Sequence, residues 1–256
     1  MQNKNEKTIS KLIEQIIQKS NFRSNPKDVF DDIIQLTFNT IFSHQFQFLA
    51  NENGCFRIDS NLYNELTDYK KNPEAWELLQ EASLLFISMF TDCEPFTDIL
   101  GVIYDKYLGK TLGQFLTPPA VAYGVGKFIY GDIKPITKHI LVGDQGGCGS
   151  GAMILGFLRL INETQGKEAF KHLEIINMDV DYRMVQLSSI QIVLHCLFHD
   201  YEIFNLQTHW GNAITEYNGR KDGSGTLALY WNQDPKYTEA IRALNILEEE
   251  TEKQYA

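Results

Sequence analysis

The chain has 256 residues and 43% hydrophobic content, enough for one large α/β domain or for a smaller domain carrying a helical appendage, and too apolar for a disordered segment. Its formal charge of −10 excludes a domain that grips nucleic acid by net electrostatics alone, so a DNA partner would need a local basic face or a second subunit. No stretch approaches the ~18 continuous apolar residues of a membrane helix, and the opening MQNKNEKTIS is polar with no apolar core behind it, which predicts a cytoplasmic protein with no membrane partner.

Residues 6–20 place Ile9, Leu12, Ile13, Ile16 and Ile17 at the spacing of one helical face. After Ser24 and Asn25, a capping signal followed by Pro26 in the first turn, the residues Val29, Phe30, Ile33 and Ile34 predict a second helix. Two further helical patterns, at about 74–91 and 97–108, flank the turn-prone TDCEPF, so residues 1–110 read as an all-helical N-terminal region. From GQFLTPPAVAYGVGKFIY onward the character changes. HILVG, LEIINM, YEIFNLQ and TLALYW read as strands, SGAMILGFLRLI and YRMVQLSSIQIVLHCLF as helices between them, and PKYTEAIRALNILEEETEK as a closing helix with a solvated acidic end. That alternation predicts an α/β fold, a Rossmann-like parallel sheet over residues 111–256.

The segment HILVGDQGGCGSGAMIL concentrates glycine immediately after an apolar run. Gly146, Gly147, Gly149 and Gly151 occupy the first strand-to-helix turn, where open α/β sheets bind ligands and where backbone N–H groups meet a helix N-terminus. Glycine there permits positive φ and close approach of a ligand, although a tight turn without any ligand would use the same residues. Asp179, ending the second strand about 30 residues on, stands where a carboxylate can accept both hydroxyls of a ribose. HWGNAI brings a small residue and an amide to the same edge, and no GK[ST] follows the glycines, which disfavours a triphosphate.

GQFLTPPAVA, GCGSGAMIL, MDVDYRMVQLSSIQIVLHCL and GNAI, in this order, resemble the cofactor-binding part of the DNA adenine N-6 methyltransferases, especially the modification subunit of type I restriction systems and its phage and plasmid relatives. The resemblance implies a Rossmann-like fold that binds S-adenosylmethionine. It implies that Phe115, Thr117 and Pro118 line the methionine end of the cofactor, that Gly149, Ser150 and Gly151 pass beneath it, that Asp179 holds the ribose, and that Asn212 faces the adenine. Thr117 and Pro118 equally suit a helix cap and first turn. The family's acidic residue four positions before the glycine of G-S-G is Gln145 here, with Asp144 one place early beside Gly146 and Gly147.

A second departure concerns catalysis. The family carries [ND]-P-P-[FY], whose side-chain oxygen and proline carbonyl accept the hydrogens of a poorly nucleophilic exocyclic amine while the ring stacks on a flipped base. The nearest match here is DPKY, with Asp234, Pro235 and Tyr237 in place and Lys236 where the second proline belongs. Asp234 capping a Pro-initiated helix explains the same residues. The resemblance therefore leaves three activities open: an adenine N-6 DNA methyltransferase or methyltransferase-like subunit acting with DNA through a complex, with a specificity or partner subunit or by self-association; a catalytically silent structural, regulatory or anti-restriction subunit; and a methyltransferase for RNA or protein. Cys55, Cys93, Cys148 and Cys196 form no C-x-x-C pair and have no histidine at ligand spacing, which predicts neither disulfide nor zinc site and fits a reducing compartment. His195 and His199, at i and i+4, read as a packed or surface pair without a third ligand, and Trp76, Tyr104 and Tyr107 as core.

Overall fold

A computed structural model of the chain describes residues 2–42, 55–59, 62–107, 115–215, 226–232 and 243. The N-terminal layer contains α1 (Gln2–Lys19), α2 (Pro26–Phe42), the short α3 (Thr67–Lys70), α4 (Pro73–Ser88) and α5 (Ile99–Tyr104). It is followed by α6 (Pro119–Tyr130), β2 (Ile140–Asp144), α7 (Ala152–Gln165), β3 (Leu173–Asp179), α8 (Tyr182–Phe198), β4 (Asn205–Trp210) and β5 (Thr226–Asn232). Helices α2, α4 and α8 start where polar side chains satisfy their first free amides: Asn25 Oδ1 accepts from the Lys27 N–H at 3.0 Å, Asn72 Oδ1 from Ala75 at 3.2 Å, and Asp181 Oδ1 from Arg183 at 2.9 Å. None of the described helices is long and apolar enough to cross a membrane.

Among the described residues, with β1 at Cys55–Ile58, the sheet has five strands in the order β1-β5-β4-β3-β2, with β2, β3 and β4 mutually parallel. Two expectations are corrected here. The N-terminal region is not all helix, because Cys55–Ile58 forms β1 and pairs antiparallel with β5. Phe56 turns inward, stacking on Trp231 with ring centroids 5.5 Å apart and meeting Phe42 at 5.0 Å. Four residues are too few for alternation to register in a sequence. The fourth strand of the alternating half, β5, runs antiparallel to β4 rather than parallel. The sequence of the 211–225 connection lacks the apolar periodicity of a crossover helix, and a strand that returns without a crossover runs antiparallel. Asn232, the last residue of β5, therefore sits opposite Asn205, the first of β4, at the end of the sheet away from the carboxyl ends of β2, β3 and β4.

Helix α8 is the centre of the molecule. Every residue from Met184 to Cys196 is buried, since the helix lies on β3 and β4 and is covered by α2 and α5 from the N-terminal layer. Its polar residues are paired. Gln186 Nε2 donates to the Leu62 carbonyl and to Gln35 Oε1, each at 3.1 Å, and the Ser189 hydroxyl bonds that of Thr208 at 3.1 Å. One apolar cluster runs from Ile9 through α8 to Trp231, so the helical layer and the sheet share a core. The expected boundary near residue 110 falls in 108–114, outside the described residues.

Asp32, only 2% exposed, is held by a two-pronged pair with Arg23 (2.6 and 2.9 Å) and by the Tyr69 hydroxyl at 2.8 Å. Burial raises the Asp32 pKa against the lowering effect of these partners. Arg23→Met leaves that carboxylate with the Tyr69 hydroxyl but without its ion partner and should cost about 3 kcal/mol at neutral pH, the lower end for a buried pair because Arg23 is partly exposed. The cost should shrink as falling pH protonates Asp32; urea unfolding of both proteins across pH measures it.

Candidate functional site

The glycine turn leaves β2 at Asp144 and enters α7 at Ala152. Gly147, Gly149 and Gly151 have φ of 124°, 53° and 88°, the left-handed side that residues with a Cβ rarely adopt. Backbone and side-chain bonds hold this shape. The Cys148 N–H donates to the Met178 carbonyl at 2.9 Å, the Gly151 N–H to the Cys148 carbonyl at 2.8 Å, and the Gly149 N–H to Asp179 Oδ2 at 2.9 Å.

Beneath the turn lies a buried polar node that the sequence reading missed. Asp98, 3% exposed, accepts from the Gly101 N–H at 2.8 Å, from Gln191 Nε2 at 2.7 Å and from the Ser150 hydroxyl at 2.7 Å. Gln191 Nε2 also donates to the Ser150 carbonyl at 2.9 Å, while its Oε1 accepts from Ile99 and Leu100 N–H at 2.9 and 3.0 Å. A Cβ on Gly101 would lie 2.4 Å from Asp98 Oδ1 and 2.5 Å from Ser150 Oγ, so only glycine permits the approach. Burial raises the Asp98 pKa, against the lowering effect of the Gln191, Ser150 and Gly101 hydrogen bonds. The one available signal was local: Thr97-Asp98 before ILGVIY is a helix start, and Asp98 does cap α5.

The structure brings most of the expected cofactor residues to this turn and reassigns several side chains. The 115–118 segment lies over it, with Leu116 Cδ2 3.2 Å from where a Cβ on Gly149 would stand and Phe115 84% exposed. Thr117 does not cap α6: Pro118 takes the capping position and Pro119 begins the helix, because the second proline is the one whose missing N–H is harmless there. Ser150 turns its hydroxyl inward to Asp98, so its side chain holds the turn and does not face a ligand. Asp179 accepts from the Gly149 N–H at Oδ2 and from the Asp181 N–H at Oδ1, each at 2.9 Å, and also from the Val180 backbone; a carboxylate has about four such sites, so about one is left. Asn212 Oδ1 caps the turn after β4 by accepting from Ile214 and Thr215 N–H at 2.9 and 3.3 Å, and the neighbouring Gly211 N–H donates to the Asp179 carbonyl at 2.9 Å. Asp234, Pro235 and Tyr237 lie outside the described residues.

Asp144 is the exception to this satisfaction. No hydrogen bond from a described residue reaches its carboxylate, and burial together with the charge of Asp179 pushes its pKa up to about 6. Asn177, directly opposite Asp144 in the β2–β3 register, is fully buried with neither amide atom partnered. Exposed apolar groups rim the same sheet end: Val180, Ile214 and Trp210, whose Nε1–H donates to the Val180 carbonyl at 3.0 Å.

Away from the turn, the reading of His195 and His199 as a pair without a third ligand is corrected. Tertiary folding brings Cys93 Sγ to 3.9 Å from His195 Nδ1 and 3.7 Å from His199 Nε2. Burial pushes the His195 pKa down to about 3, leaving a neutral imidazole. Tyr104 is core, as expected, with its hydroxyl donating to Asp31 at 2.9 Å, and Trp76 and Tyr107 pack against the core partly buried.

No protein-family model and no curated protein matches the chain. Among solved structures, the type I restriction-modification system methyltransferase subunit from Streptococcus thermophilus aligns at 11% identity and TM-score 0.47, over 88% of this chain and 62% of that one. The chain thus spans less than two thirds of the length of that subunit.

The folded Asp144 carboxyl holds its proton to about pH 6, against the ordinary value of 3.8, so its ionisation costs the fold stability that is absent below about pH 4 and fully felt above pH 6. Asp144→Asn should therefore raise the melting temperature at pH 7.5 and leave it unchanged near pH 3.5, a contrast that paired thermal melts read directly.

Proposed function

We propose that this chain binds S-adenosylmethionine on the glycine turn and acts as a methyltransferase-like subunit of a DNA-modifying complex of the adenine N-6 type. The observation that carries the reading is the turn itself: three positive-φ glycines at the carboxyl end of β2, running into the N-terminus of α7 and lying under the Phe115–Pro118 segment. The chemistry of the mouth fits the ligand. Among the described residues no donor reaches Asp144, and the neighbouring Asp179 keeps about one acceptor site, so the acidic mouth suits a cation, and S-adenosylmethionine carries both an ammonium and a sulfonium. Phe115 and Thr117 would hold its methionine end, Asp144 its ammonium, the backbone of Gly147 to Gly151 would run beneath it, and Asp179 would take the ribose. Asn212 and the exposed Val180 and Ile214 would meet the adenine. When bound, the cofactor supplies an activated methyl group.

One observation favours the silent-subunit reading for the isolated chain. β5 leaves the sheet at the end away from the glycine turn. Methylation of DNA then draws its base-binding residues from a partner or a second copy.

Calorimetric titration with S-adenosylmethionine, and with S-adenosylhomocysteine as a second ligand, should give micromolar binding that Asp179→Asn and Asp144→Asn each weaken at least about tenfold, the loss of one charge-assisted bond. Labelled methyl should not pass to DNA from the isolated chain, and Asp234→Ala should change nothing. Absence of binding up to millimolar ligand would overturn the cofactor reading, and transfer to RNA or protein but not DNA would overturn the choice of substrate.

A further inference from the structure

Cys93 lies in the turn between α4 and α5, about 100 residues from His195 and His199 at the end of α8, and yet the three ligand atoms all lie within 4.8 Å of one another. We propose that Cys93, His195 and His199 form a binding site for a divalent cation of the zinc type. With metal–sulfur and metal–nitrogen bonds of about 2.3 and 2.05 Å, a tetrahedral site separates S and N by roughly 3.6 Å. The observed separations of 3.9 and 3.7 Å come within a few tenths of an ångström of that value.

The surroundings of the rings fit the assignment. His195 Nε2 bonds the Thr97 carbonyl at 2.8 Å, which fixes the proton on Nε2 and leaves the Nδ1 lone pair for a ligand role. His199 bonds the Phe90 carbonyl, so both imidazoles have the backbone-carbonyl support that metal-ligating histidines use. The Phe96 N–H now donates to His195 Nδ1 at 3.2 Å, and a bound ion would replace that bond. One thiolate and two imidazoles select a borderline cation such as Zn²⁺ over Mg²⁺ or Ca²⁺, which prefer oxygen. Binding forms a metal–sulfur bond and releases the Cys93 thiol proton to solvent. Cys93 also lines a cavity of about 240 Å³ with Asn5, Ser88, Asp92, Glu94 and Thr97, which gives its thiol access from solvent beside two acids. An ion here would clip the 92–97 turn, and with it Asp98, to the end of α8.

The full chain, stripped of metal and then titrated with Co²⁺, should bind one equivalent, with a thiolate-to-cobalt charge-transfer band that Zn²⁺ removes by displacement. Zn²⁺ should raise its melting temperature by a few degrees. Cys93→Ser should abolish the band, and His199→Gln, which changes a partly exposed side chain and spares the core, should weaken Co²⁺ binding at least about tenfold. A wild-type protein without the band, or a band that survives both substitutions, overturns the site.

Discussion

The buried carboxylate of Asp98 is the constraint on which the rest of the structure depends. Its donors come from three separate places: the first turn of α5, the glycine turn after β2, and the middle of α8. Hydrogen bonds of this kind contribute about 0.5–1.5 kcal/mol each, and a buried polar group stripped of its partners costs about 1–3 kcal/mol, so together they favour one arrangement of the three segments. Gly101 makes the approach sterically open, and Gln191, with both ends of its amide engaged, fixes the distance between helix and turn. The N-terminal layer is thereby keyed into the end of the sheet that carries the glycine turn, and the turn is shaped by a buried residue from outside it.

That arrangement explains the division of labour among the acids. Asp98 and Asp179 brace the turn from below and beside it, and Asp144, without a donor of its own, marks where positive charge is missing. The amides of a helix N-terminus alone would favour an anion, and the two carboxylates at the mouth oppose that preference. The cost of holding Asp144 half-buried is the kind of instability expected at a functional site rather than in a core built for stability.

Much of this was legible in the sequence because it is local. Periodicity places α1 and α2, the alternation of strand and helix patterns places α8, Asn25-Pro26 starts α2, and the glycines of 146–151 mark a turn whose conformations need them. What was not legible is tertiary. β1 is four residues long and exists because Phe56 finds Trp231, and the direction of β5 depends on the absence of a crossover. Thr117 and Pro118 carried a cap signature that Pro119 displaced by one position. Asp98 and Gln191 lie 93 residues apart, and Cys93 lies still farther from His199, so no spacing rule connects them. The roles of Asp234, Pro235 and Tyr237 rest on resemblance, outside the described residues.

The central claim is that a turn braced by Asp98 presents a site for S-adenosylmethionine at the carboxyl end of β2. A crystal structure of the chain grown with S-adenosylhomocysteine tests it most directly. The account predicts the ligand over Gly147 to Gly151, its ribose hydroxyls on Asp179 and its amino group beside Asp144, with the Asp98–Ser150–Gln191 bonds intact beneath. A ligand bound elsewhere on the chain, or a turn whose Asp98 contacts open to admit it, would contradict the account.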